Sequence, residues 1–576
     1  MKLEKIKINN FCSCHSVELE LDAYSPIVGY NNSGKSNILK AINWLLKKSF
    51  LSQSSFFDAN TAITVEGEIS NVNIALLPQN QQQAVAQYLN NNLLKFRRRQ
   101  DTPQTTAAQI KIDVYDFNAN DWSPNPAGLD NAIAVLFPEP IYIEAMKDAS
   151  EDISKFSAKN TIGLLLKYTL EQIRQNNAVA LQSLETALQT VENHLSGQNR
   201  INEFNIFENQ ATAAINNFFP GISLHLNLAA PNLDDLIKGA SIELSEHAGQ
   251  ARGFSSYGHG AQRSVQMALI QLLATQAQNL GLNLPIIVLL IDEPELYLHP
   301  QAIEILRESL VLLSSQNFQI IFSTHSPLLV NNEKILNTTI VIKSQNITKT
   351  RQKLVTATNA LNNHPHQTST IFSLQNSTYL LFSEKVFIVE GKTEKMLLPE
   401  IYSVIKNRTL GHDKTCMVEA GSSSSVLPIM QVLTNVGYQP KAIVDLDFIF
   451  KVAPSKQLID AQTNQDFIDC KVWFQQNHIT LGFGLNGGCP CSGQAMSAAQ
   501  AFEALASNKP IEVNRLIAIL LTHNIWVWKN GAIEAHLGIQ KDDHSARMAF
   551  LQTAKINTNI NHATDSAGLI SLINWI

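Results

Sequence analysis

Two separated groups of residues in this chain have the types and spacing to handle phosphate and metal. The first is Gly29-Tyr30-Asn31-Asn32-Ser33-Gly34-Lys35-Ser36, which satisfies G-x-x-x-x-G-K-[ST] without a mismatch. Glycines let such a loop curl so that its amide N–H groups face phosphate oxygens, and the helix that follows adds the positive end of its dipole. Lys35 is placed to reach β- and γ-phosphates and Ser36 to hold Mg²⁺. Gly29, Asn32, Ser33, Gly34 and Asn37 are the remaining candidates for nucleotide contact. The second group is Glu390-Gly391-Lys392-Thr393-Glu394 together with Asp445-Leu446-Asp447. Hard carboxylate oxygens gathered in this way suit Mg²⁺ or Mn²⁺. Two such ions can clamp the attacking and leaving oxygens of a phosphodiester.

Several elements must position these residues. Residues 3–9 and 17–21 alternate as a hairpin leading into a short buried strand, Ser25–Val28. A helix with apolar spacing at Ile38, Ala41, Ile42, Leu45 and Leu46 follows the loop. Strands are expected at 63–69, 110–117 and 141–143, with an exposed Gln/Asn-rich helix over 79–94. Residues 152–217 lack proline and carry long helical spacing (Leu164, Tyr168, Ile173, Leu184, Leu188, Val191), so they form a helical insertion. Self-association is one use for it and packing on its own domain the plainer one. Leu284–Ile291 and Phe318–Ser323 read as buried strands. The first ends in Asp292 and Glu293, placed to support Mg²⁺ and to polarise an attacking water. An acid pair after a strand is also a common helix start, but here it accompanies a phosphate loop. Residues 344–379 are polar and read as a linker. Val386–Val389 is a buried strand ending at Glu390, and Glu394 lies in the first turn of the next helix. Ile443–Asp447 reads as another strand, which would put Asp445 and Asp447 on one face. E-G-x-x-E and D-x-D each recur by chance; their succession on buried strands is what points to a site.

Composition narrows the class. At 576 residues the chain exceeds the roughly 250–300 residues at which single cores stop growing. Its 45% hydrophobic and 16% charged content is globular. A net charge of −6 excludes a uniformly basic nucleic-acid coat. The densest basic cluster, Lys95, Arg97, Arg98 and Arg99, reads first as a solvated strand face and second as a DNA or partner patch. The six cysteines, including Cys12/Cys14 and Cys489/Cys491, are expected as reduced thiols. No apolar run is long enough to span a bilayer, so a soluble cytoplasmic protein without membrane contact is expected.

The first group resembles an ABC-type ATPase in further motifs. Ser256-Tyr257-Gly258-His259-Gly260-Ala261-Gln262-Arg263 is similar to the ABC signature, with Tyr257 and His259 departing from Leu-Ser-Gly-Gly-Gln. By that resemblance Ser256, Gly258 and Gly260 close over ATP bound by another protomer, which implies a dimer. His325, after the strand 318–323, matches the switch histidine, and Tyr297-Leu298-His299-Pro300 matches the recombination-type members. The second group resembles a Toprim domain, with Ala420–Ser425 as an intervening loop. That resemblance implies Glu534 as a further metal ligand and a lysine near the C-terminus, Lys555 before Lys529. Glu390 can serve as metal ligand or as general base.

An ABC ATPase followed by Toprim resembles the OLD (overcoming lysogenization defect) family over essentially the whole chain. The implied fold is α/β: an ABC-type P-loop ATPase with a helical dimerisation insertion, then a Rossmann-like Toprim domain. The expected division is 1–151 and 218–343 for the ATPase, 152–217 for the insertion, 344–379 for the linker and 380–576 for Toprim. The implied activity is metal-dependent DNA cleavage under control of ATP, with Mg²⁺ or Mn²⁺. A homodimer or higher homo-oligomer is implied, as is an anti-phage role of the Gabija or retron-associated kind beside a helicase or a reverse transcriptase with its RNA/DNA. The alternative is a nucleotide-switched assembly protein whose Toprim domain binds metal or partners without cutting. Strand passage or priming would need a further DNA-binding domain, for which little chain remains.

Overall fold

The computed structural model describes residues 1–124, 126, 129–137, 140–145, 177–226, 228, 243–245, 250–280, 286–316, 318–330, 337–351, 380–540 and 543–576. They fall into two compact units, one of Met1–Pro26 with Ser36–Leu329 and one of Ile27–Lys35 with Val330–Ile576.

The chain opens with β1 (Lys2–Phe11) and β2 (Cys14–Glu20), then β3 (Tyr24–Val28), the phosphate loop and α1 (Lys35–Leu46). β4 (Ile63–Ser70), α2 (Gln79–Ala86), β5 (Leu94–Gln100), β6 (Lys111–Asp116), β7 (Asp121–Pro124) and β8 (Ile141–Ile143) follow. β2-β1-β4-β5-β6-β7 form an antiparallel sheet. Alternation along β4 buries Ile63, Val65, Gly67 and Ile69 on one face. Gly67 gives room there, since a Cβ would come within 2.8 Å of the Leu45 side chain on α1 and force it to shift.

Two expectations change in this sheet. The helix expected over 79–94 ends at Ala86, and Asn91 and Asn92 take positive φ to turn the chain into β5. The basic cluster on β5 is not a free cationic patch. Lys95 pairs with Glu66 and Glu68, Arg97 with Asp113 and Arg99 with Asp101. Arg98 is buried and donates from Nε to the Leu45 carbonyl at the end of α1, at 3.0 Å.

In the same unit α3 (Ala178–Leu195) and α4 (Asn202–Asn216) supply part of the expected helical insertion. Its earlier residues, including Leu164, Tyr168 and Ile173, lie outside the described set. α5 (His259–Leu280), β9 (Ile287–Asp292), α6 (Pro300–Ser314) and β10 (Phe318–Thr324) complete it. β8, β9 and β10 are parallel, and Ile320 N–H donates to Ala23 at the entry to β3. Ile291, Leu306, Leu310, Ile320 and Phe322 form the core between this sheet and its helices. β9 and β10 are fully buried; within β10 the buried Gln319 amide is satisfied by the backbone carbonyls of Leu3 and Asp22.

In the second unit Ile27 and Val28 of β3 pair in parallel with β11 (Thr339–Ser344), which turns back into β12 (Ile347–Thr350). The expected linker therefore starts as a strand, since β12 hydrogen-bonds to β11; residues 352–379 lie outside the described set. β13 (Lys385–Val389), α7 (Lys392–Lys406), β14 (Thr415–Glu419), α8 (Ser423–Asn435), β15 (Lys441–Val444) and the short α9 (Phe448–Lys451) come next. Three longer helices lead to β16 (Ile525–Val527), α10 (Ile533–Leu537), α11 (His544–Asn557) and α12 (Ser566–Trp575). The sheet order is β14-β13-β15-β16, all parallel. Its core lies on both faces, one around Ile388, Val444 and Phe474 and the other around Phe387, Ile443 and Trp528. All six cysteines are free thiols.

Candidate functional site

The phosphate loop is shaped by its backbone. Gly29 has φ +156°, and a Cβ there would fall 2.2 Å from the Val341 carbonyl, so only glycine fits. Gly34 and Asn32 also take positive φ. Thr348 on β12 donates to the Ser33 carbonyl at 3.0 Å. Lys35 Nζ donates to the carbonyls of Gly29 at 3.0 Å and Tyr30 at 3.2 Å. The Ser33 hydroxyl is buried and has no hydrogen-bond partner among the described residues. A curled loop with a buried ammonium and an open hydroxyl fits a nucleotide polyphosphate. Asn37 donates from Nδ2 to Ser13 at 2.8 Å, which makes it a brace between α1 and the β1–β2 turn.

In the first unit, the Ser36 hydroxyl donates to Asp292 Oδ1 at 3.0 Å. Two residues 256 positions apart thus meet. Ser323 at the end of β10 donates to the same carboxylate. Glu293 has φ +48°, and its N–H donates to Ser323 Oγ at 3.0 Å. That strained turn aims its carboxylate at His325, with Nε2 to Oε1 at 3.2 Å. Glu293 and His325, each named separately for the ATPase site, are therefore brought together.

Two contributors escape the sequence reading, although Arg263 closes the quoted signature stretch and Glu295 lies two residues beyond the acid pair. Glu295 accepts from Thr324 Oγ1, His325 N–H and Ser326 N–H at 2.8, 2.6 and 3.1 Å, and so fixes the loop bearing His325. Burial raises its pKa despite these bonds. Arg263, only 4% exposed, reaches from α5 to the carbonyls of Asp292 and Glu293 at 3.3 and 3.2 Å. Of the signature residues, Ser256 bonds to the Gly253 carbonyl, Gly258 precedes α5 in open space and Gly260 lies in its first turn against Tyr297.

The second unit gathers carboxylates by topology. Because β13, β15 and β16 are parallel neighbours, their C-terminal ends share one edge of the sheet. Glu390 leaves β13 there and accepts the Asp445 N–H at 3.2 Å. Glu394, 4% exposed, projects from the first turn of α7. Glu534, 6% exposed, projects from the first turn of α10. Burial, with the Glu534 and Glu390 charges adding, pushes the Glu394 carboxyl up to about 7.

The shared-face argument for the aspartates does not hold. β15 stops at Val444, so Asp445 lies beyond the strand, and Asp447 sits in helical geometry before α9 (φ −64°, ψ −23°). The Leu446 N–H bond to the Gly531 carbonyl ends the ladder and starts the turn. Asp447 Oδ2 accepts from Lys451 at 2.8 Å, while its Oδ1 is buried with no hydrogen-bond partner among the described residues.

As placed, no three His, Cys, Asp or Glu side chains among the described residues stand in reach of one ion. The mutual repulsion around Glu394 and the open Asp447 oxygen nevertheless fit a divalent cation as the missing countercharge.

The expected lysines are engaged elsewhere: Lys555 pairs with Glu400 at 2.8 Å on an exposed surface, and Lys529 with Asp565 at 3.2 Å. Besides Lys451 on Asp447, a cation that stands against the carboxylates is Arg547, with NH2 2.9 Å from Glu534 Oε1. Sequence reasoning sought a lysine and passed over it. His536 is a further buried residue: Nδ1 lies 2.6 Å from Asp565 Oδ2 and Nε2 accepts the Asn530 N–H at 3.2 Å, bracing the turn before Glu534.

Residues 381–447 match the family described as overcoming lysogenization defect protein-like, TOPRIM domain. Residues 1–80 match an AAA ATPase domain, and residues 156–331 match an AAA domain described as a putative AbiEii toxin of a type IV toxin–antitoxin system. The chain is 34% identical over 563 residues to the Old nuclease of Escherichia phage P2, covering 94% of each chain. It is 22% identical to endonuclease GajA of Bacillus cereus (strain VD045), covering 70% of this chain and 68% of that one. It is 21% identical to the OLD nuclease of Thermus scotoductus (strain ATCC 700910 / SA-01), covering 75% and 79%.

Proposed function

The chain belongs to the Old nuclease family of ATPase–Toprim proteins, and from that premise we propose that it is a Mg²⁺- or Mn²⁺-dependent DNA endonuclease governed by its ATPase. The observation that carries this reading is the shared sheet edge, where Glu390, Asp445, Asp447 and Glu534 join the buried Glu394. Bound there, a divalent cation lowers the pKa of water and stabilises charge on a phosphodiester. Glu390, Glu394, Asp445, Asp447 and Glu534 would hold it. Arg547 keeps Glu534 oriented and supplies positive charge at the site, in the role first sought in Lys555 and Lys529.

In the ATPase, Lys35 and the loop amides bind phosphates, while Ser36 and Asp292 hold the nucleotide's Mg²⁺. Glu293 polarises the attacking water, with His325 as its hydrogen-bond partner. Ser256, Gly258 and Gly260 complete the site of a second protomer. We place the self-association surface on the insertion, where Phe207 is exposed, and on Phe218 and Phe219, which are exposed just beyond its end. The domain limits 1–151, 152–217, 218–343 and 380–576 are part of this reading, as are a cytoplasmic location and a role in anti-phage defence.

The test is incubation of the purified chain with supercoiled and linear DNA, with Mg²⁺ or Mn²⁺, with and without ATP. Metal-dependent cleavage lost in Glu390→Ala supports the reading. No cleavage under any condition, with ATP binding intact, favours the assembly alternative.

A further inference from the structure

One residue of the phosphate loop is held by the start of the Toprim sheet. The Tyr30 hydroxyl donates to the Lys343 carbonyl and accepts the Lys343 N–H, both at 2.8 Å, so the ring direction is set by β11. Lys414 Nζ lies over the ring, 3.8 Å from its centroid. The same ammonium is 2.7 Å from Glu384 Oε1. Lys414 and Glu384 immediately precede β14 and β13, whose pairing starts at Lys385 and Thr415. Lys414 takes φ +49° and is held there as its N–H donates to Gly411 and its carbonyl accepts from Glu384 and Lys385. Arg351 fixes the other side, donating to the carbonyls of Glu384 and Gly437 and stacking on Tyr438. Tyr30 titrates above an ordinary tyrosine, chiefly through burial, with the Glu384 carboxylate adding to it.

The chemistry at the two ends of this contact differs. Tyr30's own carbonyl is one of the two that hold the Lys35 ammonium. From Glu384, strand β13 runs directly to Glu390. A displacement of the Tyr30 ring therefore acts at once on the phosphate-binding lysine and on the strand that carries the first Toprim carboxylate.

We propose that Lys414 and Glu384 are positioning residues for the nucleotide loop, gripping Tyr30 so that nucleotide affinity and the Toprim strand β13 are linked through one cation–π and ion-pair contact. The proposal rests on the reading of Gly29–Ser36 as a nucleotide site and of the Toprim edge as a nuclease. Linkage is reciprocal: if the Toprim end of the contact changes ATP affinity, ATP changes the Toprim end by the same factor. The contact is partly exposed, so its effect is modest, a tuning of affinity by about fivefold rather than an on–off lock.

The experiment measures ATP affinity, and DNA cleavage with and without ATP, in the full chain and its variants. Lys414→Met is expected to weaken ATP binding about fivefold and move the ratio of cleavage with ATP to cleavage without it toward one. Lys414→Arg, which can still cover the ring and pair with Glu384, restores both readouts. The double variant Tyr30→Leu/Lys414→Met binds ATP no more weakly than Tyr30→Leu alone, because both remove the same contact. Unchanged affinity and ratio in Lys414→Met, or additive losses in the double variant, overturn the proposal. Lys35→Ala separates the two levels: if it binds ATP as wild type does, the nucleotide reading itself fails.

Discussion

Glu394→Gln isolates the electrostatic cost of gathering the Toprim carboxylates. In the fold this carboxyl is buried, flanked by the Glu390 and Glu534 charges, and holds its proton to about pH 7. In the unfolded chain it ionises near the model-peptide value of about 4.3. Below that value both states are protonated and the site costs nothing. Between there and about pH 7 the unfolded chain releases a proton that the fold retains, so wild-type stability falls relative to the variant. Above about pH 7 both are ionised and the full deficit persists. The upper bound is roughly 4 kcal/mol, or roughly 8–16 °C in the melting midpoint of a domain of about 200 residues. Calorimetry in EDTA at pH 4, 6 and 8.5 reads this directly: Glu394→Gln matches wild type at pH 4 and melts higher at 8.5. Adding Mn²⁺ at pH 8.5 then raises the wild-type midpoint and leaves the variant much less changed. Parallel midpoints across this pH range would refute the claim that Glu394 is the strained member of the cluster.

Lys35→Ala should reduce ATP binding at least tenfold in a direct binding assay, since it removes the ammonium at the phosphate loop. Glu390→Ala should abolish metal-dependent DNA cleavage while ATP hydrolysis continues; retained cleavage would displace Glu390 from the site. Glu293→Gln should keep ATP affinity and slow hydrolysis by roughly a hundredfold, within the range for loss of a general base. Replacing Phe218 and Phe219 by Ser should shift the chain toward monomer in analytical ultracentrifugation without lowering its melting midpoint, because both rings are exposed; an unchanged sedimentation profile would move the self-association surface elsewhere.

The elements at the nucleotide loop were legible because local chemistry specifies them. Gly29 and Gly34 must accept positive φ, β9 and β10 are buried along their whole length around apolar runs, and α1 needs its apolar spacing. The mistakes fell where tertiary contacts override local pattern. The alternation Asp445-Leu446-Asp447 implied a strand, yet the Gly531 carbonyl captures Leu446 N–H and turns the chain after Val444. Polar composition over 344–350 implied a linker, yet pairing with β11 makes it a strand. Arg98 looked solvated, and the end of α1 buries it.

Sequence alone pointed to the chemistries expected of the chain, because phosphate and metal sites draw on few residue types at fixed spacing. It also named Ser36 and Asp292 for Mg²⁺ and Glu293 for water, and the ABC resemblance named His325; the fold brings Ser36 to Asp292 and Glu293 to His325. Tertiary structure decided which groups stand beside those residues. Arg263 and Glu295 brace the acid pair, Arg547 rather than a lysine faces Glu534, and His536 with Asp565 fixes the turn before it. Each of these contacts joins segments whose proximity follows from sheet order and helix packing, and an arginine or histidine carries no local signal of which distant carboxylate or carbonyl it will meet.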